Sequence, residues 1–367
     1  MIIIYTRAYN AEVTLRRTIE SILNQTFTDF KYILFDNGSQ DSTFDIMKEY
    51  AKRDDRIIIL RGGINRKSFV SVSPILHFIV NNYDSNDYIC NIDADDVYRV
   101  DFFEKMYSFV QLNQLEVAFC GYNLLDRDTG TLIECKRLND DLVIENEDLP
   151  EYFMTYRRYT TDMWAKLFKV SSLEYYLDED RFEFLKERHP AHQNFIYDAL
   201  QNSARIGILS EPLMDYYVSN ISQKNTRIGE SISLIQSRDI FLIMQNFLSK
   251  FKVDEKLSRR NIDYMYAIYC GYIKDLIEVI KLNNAISFLN KINHFFDIFS
   301  HHITKEMLSI HASEEFYSLS RESKEELCNG VVSYIAEQKN TEGFKLKIEK
   351  LVTCMRNCGI CIYSNII

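Results

Sequence analysis

The stretch Y-I-C-N-I-D-A-D-D, which spans Tyr88–Asp96, decides the fold class, because an apolar run ends abruptly in a cluster of carboxylates. Tyr88–Ile92 has the length and apolar character of a buried strand, and Asp93, Asp95 and Asp96 follow it directly. Mg²⁺ and Mn²⁺ prefer oxygen ligands, commonly one or two carboxylates together with substrate phosphates. Asp93 and Asp95 are therefore candidate metal ligands, although a solvated acidic turn would have the same composition.

Short apolar runs alternate with helix-period stretches on the N-terminal side of this cluster. This alternation is typical of strand, helix, strand units in a parallel sheet. We expect strands at Ile2–Tyr5, Lys31–Phe35, Arg56–Leu60 and Tyr88–Ile92, and helices at Glu12–Leu23, Ser42–Lys52 and Pro74–Asn82.

Polar residues follow each of these predicted strands. They are Thr6, Asp36, Arg61 and Asp93, in chain order. In open parallel sheets, ligands bind beyond the carboxyl ends of the strands. We therefore expect these four side chains to face one crevice.

The pattern changes on the C-terminal side of the acidic cluster. Strands are predicted at Val117–Tyr122 and Thr131–Lys136, joined by a turn at Asp126–Gly130, with a further strand at Gly207–Leu209. From about Glu230 onward there is no proline and there are few glycines, while apolar residues recur at helical spacing. The sequence predicts an α/β domain over residues 1–228 and an α-helical domain over residues 229–367.

Composition excludes several classes of protein. The chain has 367 residues, 46% of them hydrophobic, and a formal net charge of −10, which disfavours both disorder and sequence-independent nucleic-acid binding. The eight cysteines lack the paired spacing of a zinc site or a disulfide scaffold, so reduced thiols are expected. The N-terminus lacks the features of a signal peptide, and no run of 18 apolar residues occurs. A cytoplasmic protein is expected, with docking at the inner membrane face left open.

Three further motifs accompany the acidic cluster: T-R-A-Y-N at Thr6–Asn10, L-N-Q-T at Leu23–Thr26 and D-N-G-S-Q-D-S-T at Asp36–Thr43. Together with D-A-D-D they resemble family 2 glycosyltransferases of the GT-A fold, whose usual signatures are P-T-Y-N, S-I-L-N-Q-T, D-D-G-S-x-D-x-T and D-A-D-D. The order and spacing also match. The resemblance covers the N-terminal domain and implies a mostly parallel sheet sandwiched by helices.

The resemblance implies transfer of a sugar, with inversion at the anomeric carbon, from a nucleoside-diphosphate sugar that is often a UDP-sugar. The acceptor would be a glycan, a lipid-linked glycan or a protein. Asp36 would recognise the base, and Thr6 and Tyr9 would line the nucleoside pocket. Asp93 and Ala94 would lie beside the ribose and diphosphate.

The resemblance also assigns a metal to the acidic cluster. Asp95, with Asp93, would ligate Mn²⁺ or Mg²⁺, which neutralises the leaving diphosphate. For Asn37 and Asp41 a structural role in turns and helix caps is a strong alternative.

Two later segments extend the match. Trp164–Phe168 resembles the W-x-K-L-[YF] segment on the acceptor side of such enzymes, and Glu211–Tyr217 resembles an E-P-L-x-x-Y stretch. Trp164 could stack on a sugar ring or serve as a core anchor, and the sequence does not separate the two roles.

The expected catalytic base is missing from its usual place. Relatives usually carry an E-D pair before the E-P-L stretch, but that position here holds His192. Histidine can act as a general base, so His192 is a catalytic candidate, together with Asp96 of the acidic cluster. A different register would present Glu187, His189 or Asp198 instead.

Two other signatures are also absent. No histidine follows Tyr217 to complete a metal site, and the A-R-N signature expected between Gly63 and Ser73 is missing. Arg66 and Lys67 lie in that second segment and are candidate cations for the diphosphate.

These departures leave a second function class open, a non-catalytic partner or scaffold that has kept a nucleotide-sugar fold. A nucleotidyltransferase is disfavoured, because no Gly-rich loop follows the first strand, although Arg7 is present. The helical domain could bind acceptor, self-associate into a homo-oligomer or contact a membrane-bound assembly, and the sequence assigns it no function.

Overall fold

The computed structural model describes residues 1–65, 72–156, 163–177, 202–218, 286–309, 329–338 and 342–357, with short pieces at 159, 195–196, 199–200, 273–274, 276–278, 280–284 and 327. The chain divides into two compact units. The first comprises Met1–Asn146 and Arg158–Asn220, and the second Glu147–Arg157 and Ile221–Ile367. The predicted boundary between residues 228 and 229 lies outside the described residues and stays a prediction.

The first unit begins with the predicted alternation of strands and helices. Its elements are β1 (Ile2–Ala8), α1 (Leu15–Leu23), β2 (Phe30–Asp36), α2 (Thr43–Ala51), β3 (Ile57–Arg61), α3 (Ser73–Asn82) and β4 (Tyr88–Asn91). The chain continues through β5 (Val97–Tyr98), α4 (Phe102–Asn113), β6 (Val117–Asp126), β7 (Leu132–Lys136), β8 (Leu142–Glu145), α5 (Leu149–Tyr156), β9 (Lys166–Lys169) and β10 (Arg205–Val218), of which α5 belongs to the second unit.

The ten strands of the described residues form one sheet in the order β3-β2-β1-β4-β9-β6-β10-β5, with β7 paired to β6 and β8 paired to β10. The pairs β1/β2, β2/β3, β1/β4 and β6/β10 are parallel. Strand β9 runs antiparallel between β4 and β6. The sheet is flanked by helices, which confirms the predicted α/β class.

The registers of the first three strands align their carboxyl ends. Ala8 pairs with Asp36, and Asp36 pairs with Arg61. The chain leaves the sheet at neighbouring points after each of these strands, so the loops that follow share one edge.

Apolar burial on both faces of the sheet explains its stability. Strand β1 begins with the apolar run Ile2–Tyr5, whose first three residues, Ile2, Ile3 and Ile4, are fully buried, as expected of a parallel strand covered on both faces. Helix α1 contributes Leu15, Ile19 and Ile22, which are also fully buried. Val13, in contrast, precedes this helix and is exposed, so the helix begins later than the apolar pattern predicts.

The largest departure from the predicted elements is β10, which runs from Arg205 to Val218 rather than over Gly207–Leu209 alone. Proline cannot donate a ladder hydrogen bond, so Pro212 would ordinarily interrupt a central strand. The strand continues because its pairing with β6 shifts register on both sides of Pro212, so irregularities accommodate the ring.

The described part of the second unit's C-terminal segment contains helices α6 (Phe288–Ser300), α7 (His302–Ser309) and α8 (Lys345–Asn357). In α6, Phe295 and Phe299 are fully buried, in agreement with the predicted helical face. Ser287 caps α6, since its hydroxyl accepts a hydrogen bond from the Asn290 N–H at 3.3 Å. Within the described residues, no helix combines the length and apolarity required to cross a membrane.

Candidate functional site

A cleft of about 700 Å³ opens in the first unit beyond the carboxyl ends of β1, β2, β3 and β4. Its walls also include the turn that follows β6. The polar residues that line it are Arg7, Tyr9, Asn10, Thr14, Asn37, Asn65, Asp93, Asp95 and Arg127. This is the edge at which open parallel sheets bind ligands, and it is where the sequence places its crevice.

Hydrogen bonds between the loops after β1 and β2 build one wall of the cleft. The Asn10 Oδ1 atom accepts from the Gln40 N–H at 2.9 Å, and the Asn10 N–H donates to the Ser39 hydroxyl at 3.1 Å. Asp41 accepts from the backbone N–H groups of Glu12 at 3.1 Å and Thr43 at 3.0 Å. These bonds support the structural interpretation of Asp41.

Gly38 lets this loop pass close to the segment after β3. Its φ is +84°, and a Cβ atom there would lie 2.8 Å from the carbonyl carbon of Ile64. Beside it, the Asn37 Nδ2 group donates to Asn65 Oδ1 at 2.9 Å, and both amides line the cleft. The motif therefore contributes cleft-lining amides as well as a turn.

Asp36 ends β2 and is fully buried, so it does not line the cleft itself. Its Oδ1 accepts from the Ser39 N–H at 2.9 Å, and its Oδ2 accepts from Arg61 Nε at 3.2 Å. The Arg61 guanidinium also lies 4.1 Å from the Phe44 ring centroid. The sequence predicts that Asp36 and Arg61 face the crevice, but neither lines the cleft, and the two side chains instead form an ion pair with each other. The base contact predicted for Asp36 therefore needs correction, because its carboxylate is fully buried.

The two candidates for the nucleoside pocket differ in placement. Tyr9 is partly exposed and lines the cleft. Thr6 is fully buried, and its hydroxyl is hydrogen-bonded to the Tyr32 hydroxyl at 2.9 Å. The prediction that Thr6 lines the pocket therefore needs correction: because it points into the sheet packing, it supports the wall rather than forming the surface.

Asp93, Ala94 and Asp95 line the cleft together. Their binding of a nucleotide sugar and a metal stays a prediction. The Asp95 carboxylate forms an ion pair with Arg127, and its backbone carbonyl accepts from Arg17 Nη2 at 2.7 Å. Arg127 Nη2 also donates to the Tyr217 carbonyl at 3.1 Å. The acidic loop is thereby tied to α1, to the turn after β6 and to the end of β10.

Asp96 lies behind this loop and is fully buried outside the cleft lining. Its Oδ1 accepts from the Tyr217 N–H at 3.1 Å, whereas Oδ2 has no hydrogen-bond partner. Burial, and then the negative charges of Asp93 and Asp95, raise the pKa of Asp96 to about 9, so the carboxyl is protonated at neutral pH. The catalytic role predicted for Asp96 is corrected, because a side chain enclosed in this way cannot contact an acceptor.

The donor atoms of the cleft are suited to a hard divalent cation. Asp93 and Asp95 supply carboxylate oxygens on one wall, and the remaining ligands of such an ion commonly come from substrate phosphates and water. Among the described residues, no group of three His, Cys, Asp or Glu could hold a metal unaided. Metal binding at this site therefore needs ligands beyond the two aspartates, such as phosphate oxygens and water.

Trp164 is 3% exposed, and its ring packs against Tyr122 at 4.7 Å and Tyr216 at 4.9 Å between centroids. Its carbonyl accepts a hydrogen bond at 2.8 Å from Nζ of the buried Lys166. This environment favours the core anchor over sugar stacking, because the ring face is already covered by aromatic neighbours.

Several predicted residues lie outside the described residues. They are the candidate bases His192, Glu187, His189 and Asp198 and the candidate cations Arg66 and Lys67. Their roles stay predictions.

Arg127 is a cleft residue that sequence reasoning missed, as are Thr14 and Asn65. Arg127 lies in Asp126–Gly130, which the sequence correctly predicts as a turn. An arginine in a polar turn is ordinarily a solvated charge, and no local signal indicates that this turn approaches Asp95.

The chain is similar in sequence to known glycosyltransferases. Residues 3–172 match the family described as glycosyl transferase family 2. EpsH of Bacillus subtilis is 24% identical over 261 residues, which cover 66% of this chain and 70% of EpsH. YibD of Escherichia coli is 24% identical over 224 residues, which cover 58% of this chain and 60% of YibD. Both names describe glycosyltransferases and give no substrate.

The fold is also similar to that of a solved structure. The crystal structure of S. aureus TarS 1-349 superposes with a TM-score of 0.56 at 13% identity, covering 94% of this chain and 91% of that one. At this identity the likeness shows the fold alone. The family similarity of this chain is therefore to glycosyl transferase family 2, over residues 3–172.

Proposed function

We propose that the protein transfers a sugar from a nucleoside-diphosphate sugar, preferably a UDP-sugar, to a hydroxyl of a glycan, lipid-linked or protein acceptor. The transfer inverts the anomeric carbon and uses Mn²⁺ or Mg²⁺. We place this activity in the cytoplasm, where the protein would act alone, as a homo-oligomer or at the inner membrane face.

One observation carries the proposal: Asp93 and Asp95 share a cleft with the amides Asn10, Asn37 and Asn65. Amides and an aromatic ring, here Tyr9, suit a nucleoside, whereas carboxylates suit the cation that accompanies a diphosphate. A cleft of about 700 Å³ is large enough for a ligand of nucleotide-sugar size.

The reaction itself is a single displacement. The acceptor hydroxyl oxygen forms a bond to the anomeric carbon as the bond from that carbon to the diphosphate oxygen breaks. The hydroxyl proton passes to a protein base, and the nucleoside diphosphate leaves with the bonding electron pair. Because charge develops on the leaving diphosphate, cationic groups placed beside it lower the barrier.

The residues of the cleft divide this work. Asp93 and Asp95 would hold the divalent cation, which supplies positive charge to the diphosphate when it is bound. Asp36 accepts a hydrogen bond from the Ser39 N–H and so would fix the backbone where the base of the nucleotide is proposed to lie. Arg66, proposed from the sequence, would add a further cation to the donor side.

The base is proposed to be His192. Replacing His192 with Ala should lower kcat on the order of 100-fold while changing donor affinity by less than about threefold. Steady-state kinetics with Glu187→Ala, His189→Ala and Asp198→Ala in parallel would separate the candidates. Equal losses in kcat and donor affinity for His192→Ala would assign it to binding instead.

The decisive experiment is calorimetric titration of the protein with UDP, with and without Mn²⁺, with GDP, CDP and dTDP as competing probes. Asp93→Asn and Asp95→Asn should abolish the Mn²⁺-dependent part of the UDP signal. Asp128→Asn, an exposed carboxylate outside the cleft lining, is the matched control. Failure to bind any nucleoside diphosphate would contradict the proposed donor site.

A second candidate function is a non-catalytic partner within a glycosylation complex. The observation that favours it is the ion pair between Asp95 and Arg127, which engages a proposed metal ligand. Release of UDP from UDP-sugars in the presence of acceptor preparations distinguishes the two, because a binding module would bind UDP without turning over its donor.

A further inference from the structure

We propose that Arg127 is a diphosphate-binding residue that exchanges partners: it shields Asp95 in the ligand-free protein and moves to the donor diphosphate when the donor binds. The inference rests on the proposed function and adds to it a residue that the motifs do not contain.

The position of Arg127 is set by the backbone around it. Its N–H donates to the Val218 carbonyl at 2.9 Å, and its Nη2 donates to the Tyr217 carbonyl at 3.1 Å. Within its own turn, Asp126 Oδ1 accepts from the N–H groups of Asp128 at 3.0 Å and Thr129 at 2.8 Å. The turn and the end of β10 thus hold the arginine at the rim of the cleft.

Three properties of the Arg127–Asp95 pair make it exchangeable. Both side chains are about one third exposed, at 36% and 37%, and partly exposed ion pairs contribute little stability. The guanidinium has five N–H groups, and Nη2 makes both of the side-chain bonds described above. Both residues also line the cleft that would receive the donor.

Arg17, in helix α1, also contacts the loop that carries Asp95, but it differs from Arg127 in its position relative to the cleft. Its Nη2 donates to the Asp95 carbonyl at 2.7 Å, and its guanidinium lies 4.0 Å from the Tyr217 ring centroid. Arg17 does not line the cleft, so it supports the loop. Arg127 is the arginine of this pair that faces the ligand space.

The electrostatics of the cleft favour the exchange. In the ligand-free protein, the positive charge of Arg127 offsets the negative charge of Asp95, which lies near that of Asp93. A diphosphate is a better partner for a guanidinium than one carboxylate, because it offers several charged oxygens in a geometry that allows paired hydrogen bonds. Transfer of Arg127 to the diphosphate frees Asp95 for a divalent cation, so binding of the donor and of the cation should reinforce one another.

The test compares wild type, Arg127→Met and Arg127→Lys with three probes in calorimetric titrations: Mn²⁺ alone, UDP with saturating Mn²⁺, and uridine. Arg137→Met is the matched control, because Arg137 is exposed just beyond β7 and does not line the cleft. Thermal unfolding of each variant verifies that it is folded, and Arg127→Lys retains the charge if the methionine variant is unstable.

For Arg127→Met we expect binding of UDP to weaken about tenfold, binding of uridine to stay unchanged and binding of Mn²⁺ alone to tighten several-fold. Arg127→Lys should recover part of the UDP affinity, and Arg137→Met should match wild type with all three probes. Equal losses for UDP and uridine would show a structural role and overturn the inference.

Other outcomes separate the inference from the proposed function. If wild type and Arg127→Met bind UDP equally well, the diphosphate contact is wrong while the donor site stands. If Arg127→Met binds Mn²⁺ alone with the same affinity as wild type, Arg127 does not shield Asp95. If wild type binds no nucleoside diphosphate, the proposed function and the diphosphate contact both fail, and the Mn²⁺ titration still decides whether Arg127 shields Asp95.

Discussion

Two acid-rich loops border the same cleft, one after β2 at residues 36–43 and one after β4 at residues 93–96, and they use their aspartates differently. In the first loop, Asp36 and Asp41 accept hydrogen bonds from backbone N–H groups. In the second, Asp93 and Asp95 line the cleft, and Asp95 is paired with a side chain that is itself partly exposed. Aspartates that accept backbone N–H groups shape a loop, whereas aspartates at a cleft wall can bind ligands.

The comparison is tested most strongly by matched replacements in the two loops. Asp95→Asn should lower metal-dependent turnover of a UDP-sugar on the order of 100-fold, because it removes a charged oxygen ligand. Asp41→Asn keeps an oxygen acceptor for only one of the Glu12 and Thr43 N–H groups, because these bond different oxygens of Asp41. It should still change turnover by less than about threefold, since Asp41 does not line the cleft. UDP release at limiting Mn²⁺ measures both, and similar losses would remove the distinction between the loops.

The rigidity of the first loop is tested at its glycine. Gly38→Ala should lower the free energy of unfolding by about 2–4 kcal/mol, because φ is +84° and the new Cβ would lie 2.8 Å from the Ile64 backbone. Gly63→Ala is the control, since a Cβ at Gly63 meets no atom within 4 Å. Urea unfolding measures the difference, and a neutral Gly38→Ala would mean that the loop is adaptable.

The second loop should make the free energy of unfolding depend on pH, because it contains the buried Asp96. Its pKa is raised from 3.8 to about 9 in the folded protein, so its contribution to stability is complete below pH 3.8 and is lost progressively as pH rises toward 9. Asp96→Asn removes this contribution while keeping an oxygen for the Tyr217 N–H. Across pH 5 to 8, stability of the variant should therefore fall less steeply than that of wild type, by up to about 1.4 kcal/mol per pH unit.

Urea unfolding in EDTA at several pH values measures these slopes without interference from a bound cation. Asp128→Asn, in an exposed turn, is expected to keep the wild-type slope. If the free energy of unfolding falls equally with pH in wild type and Asp96→Asn, the buried carboxyl is not protonated in the folded protein.

The smallest predicted effect is on the contact between the loops after β1 and β2. Asn10→Ala should cost about 1 kcal/mol, because it removes the acceptor for the Gln40 N–H and leaves a φ of +49° that alanine tolerates poorly. Asn10→Gly loses the same acceptor but relieves the backbone, so it should be less destabilising. Urea unfolding measures both variants, and a lower free energy of unfolding for Asn10→Gly than for Asn10→Ala would contradict this account.

The sequence predicted the N-terminal half of the sheet and the place of the cleft because strands buried on both faces leave long apolar runs, and polar motifs follow each run. It was less successful where tertiary pairing overrides local pattern. Strand β9 lies between β4 and β6, and β10 continues past Pro212 because register shifts accommodate the proline. Trp164 stayed ambiguous for the same reason, since only its neighbours Tyr122 and Tyr216 show that its ring is enclosed.

The sequence alone thus determined the family resemblance, the α/β order of the first unit and the placement of Asp93 and Asp95 at the end of a strand. These features depend on residue type and spacing along the chain. The tertiary structure alone decided that Asp96 is enclosed, that Thr6 faces Tyr32 and that Arg127 meets Asp95. Burial, pKa and ion pairing depend on which distant segments meet, and Arg127 and Asp95 come together only because β6, β10 and the loop after β4 converge at one edge of the sheet.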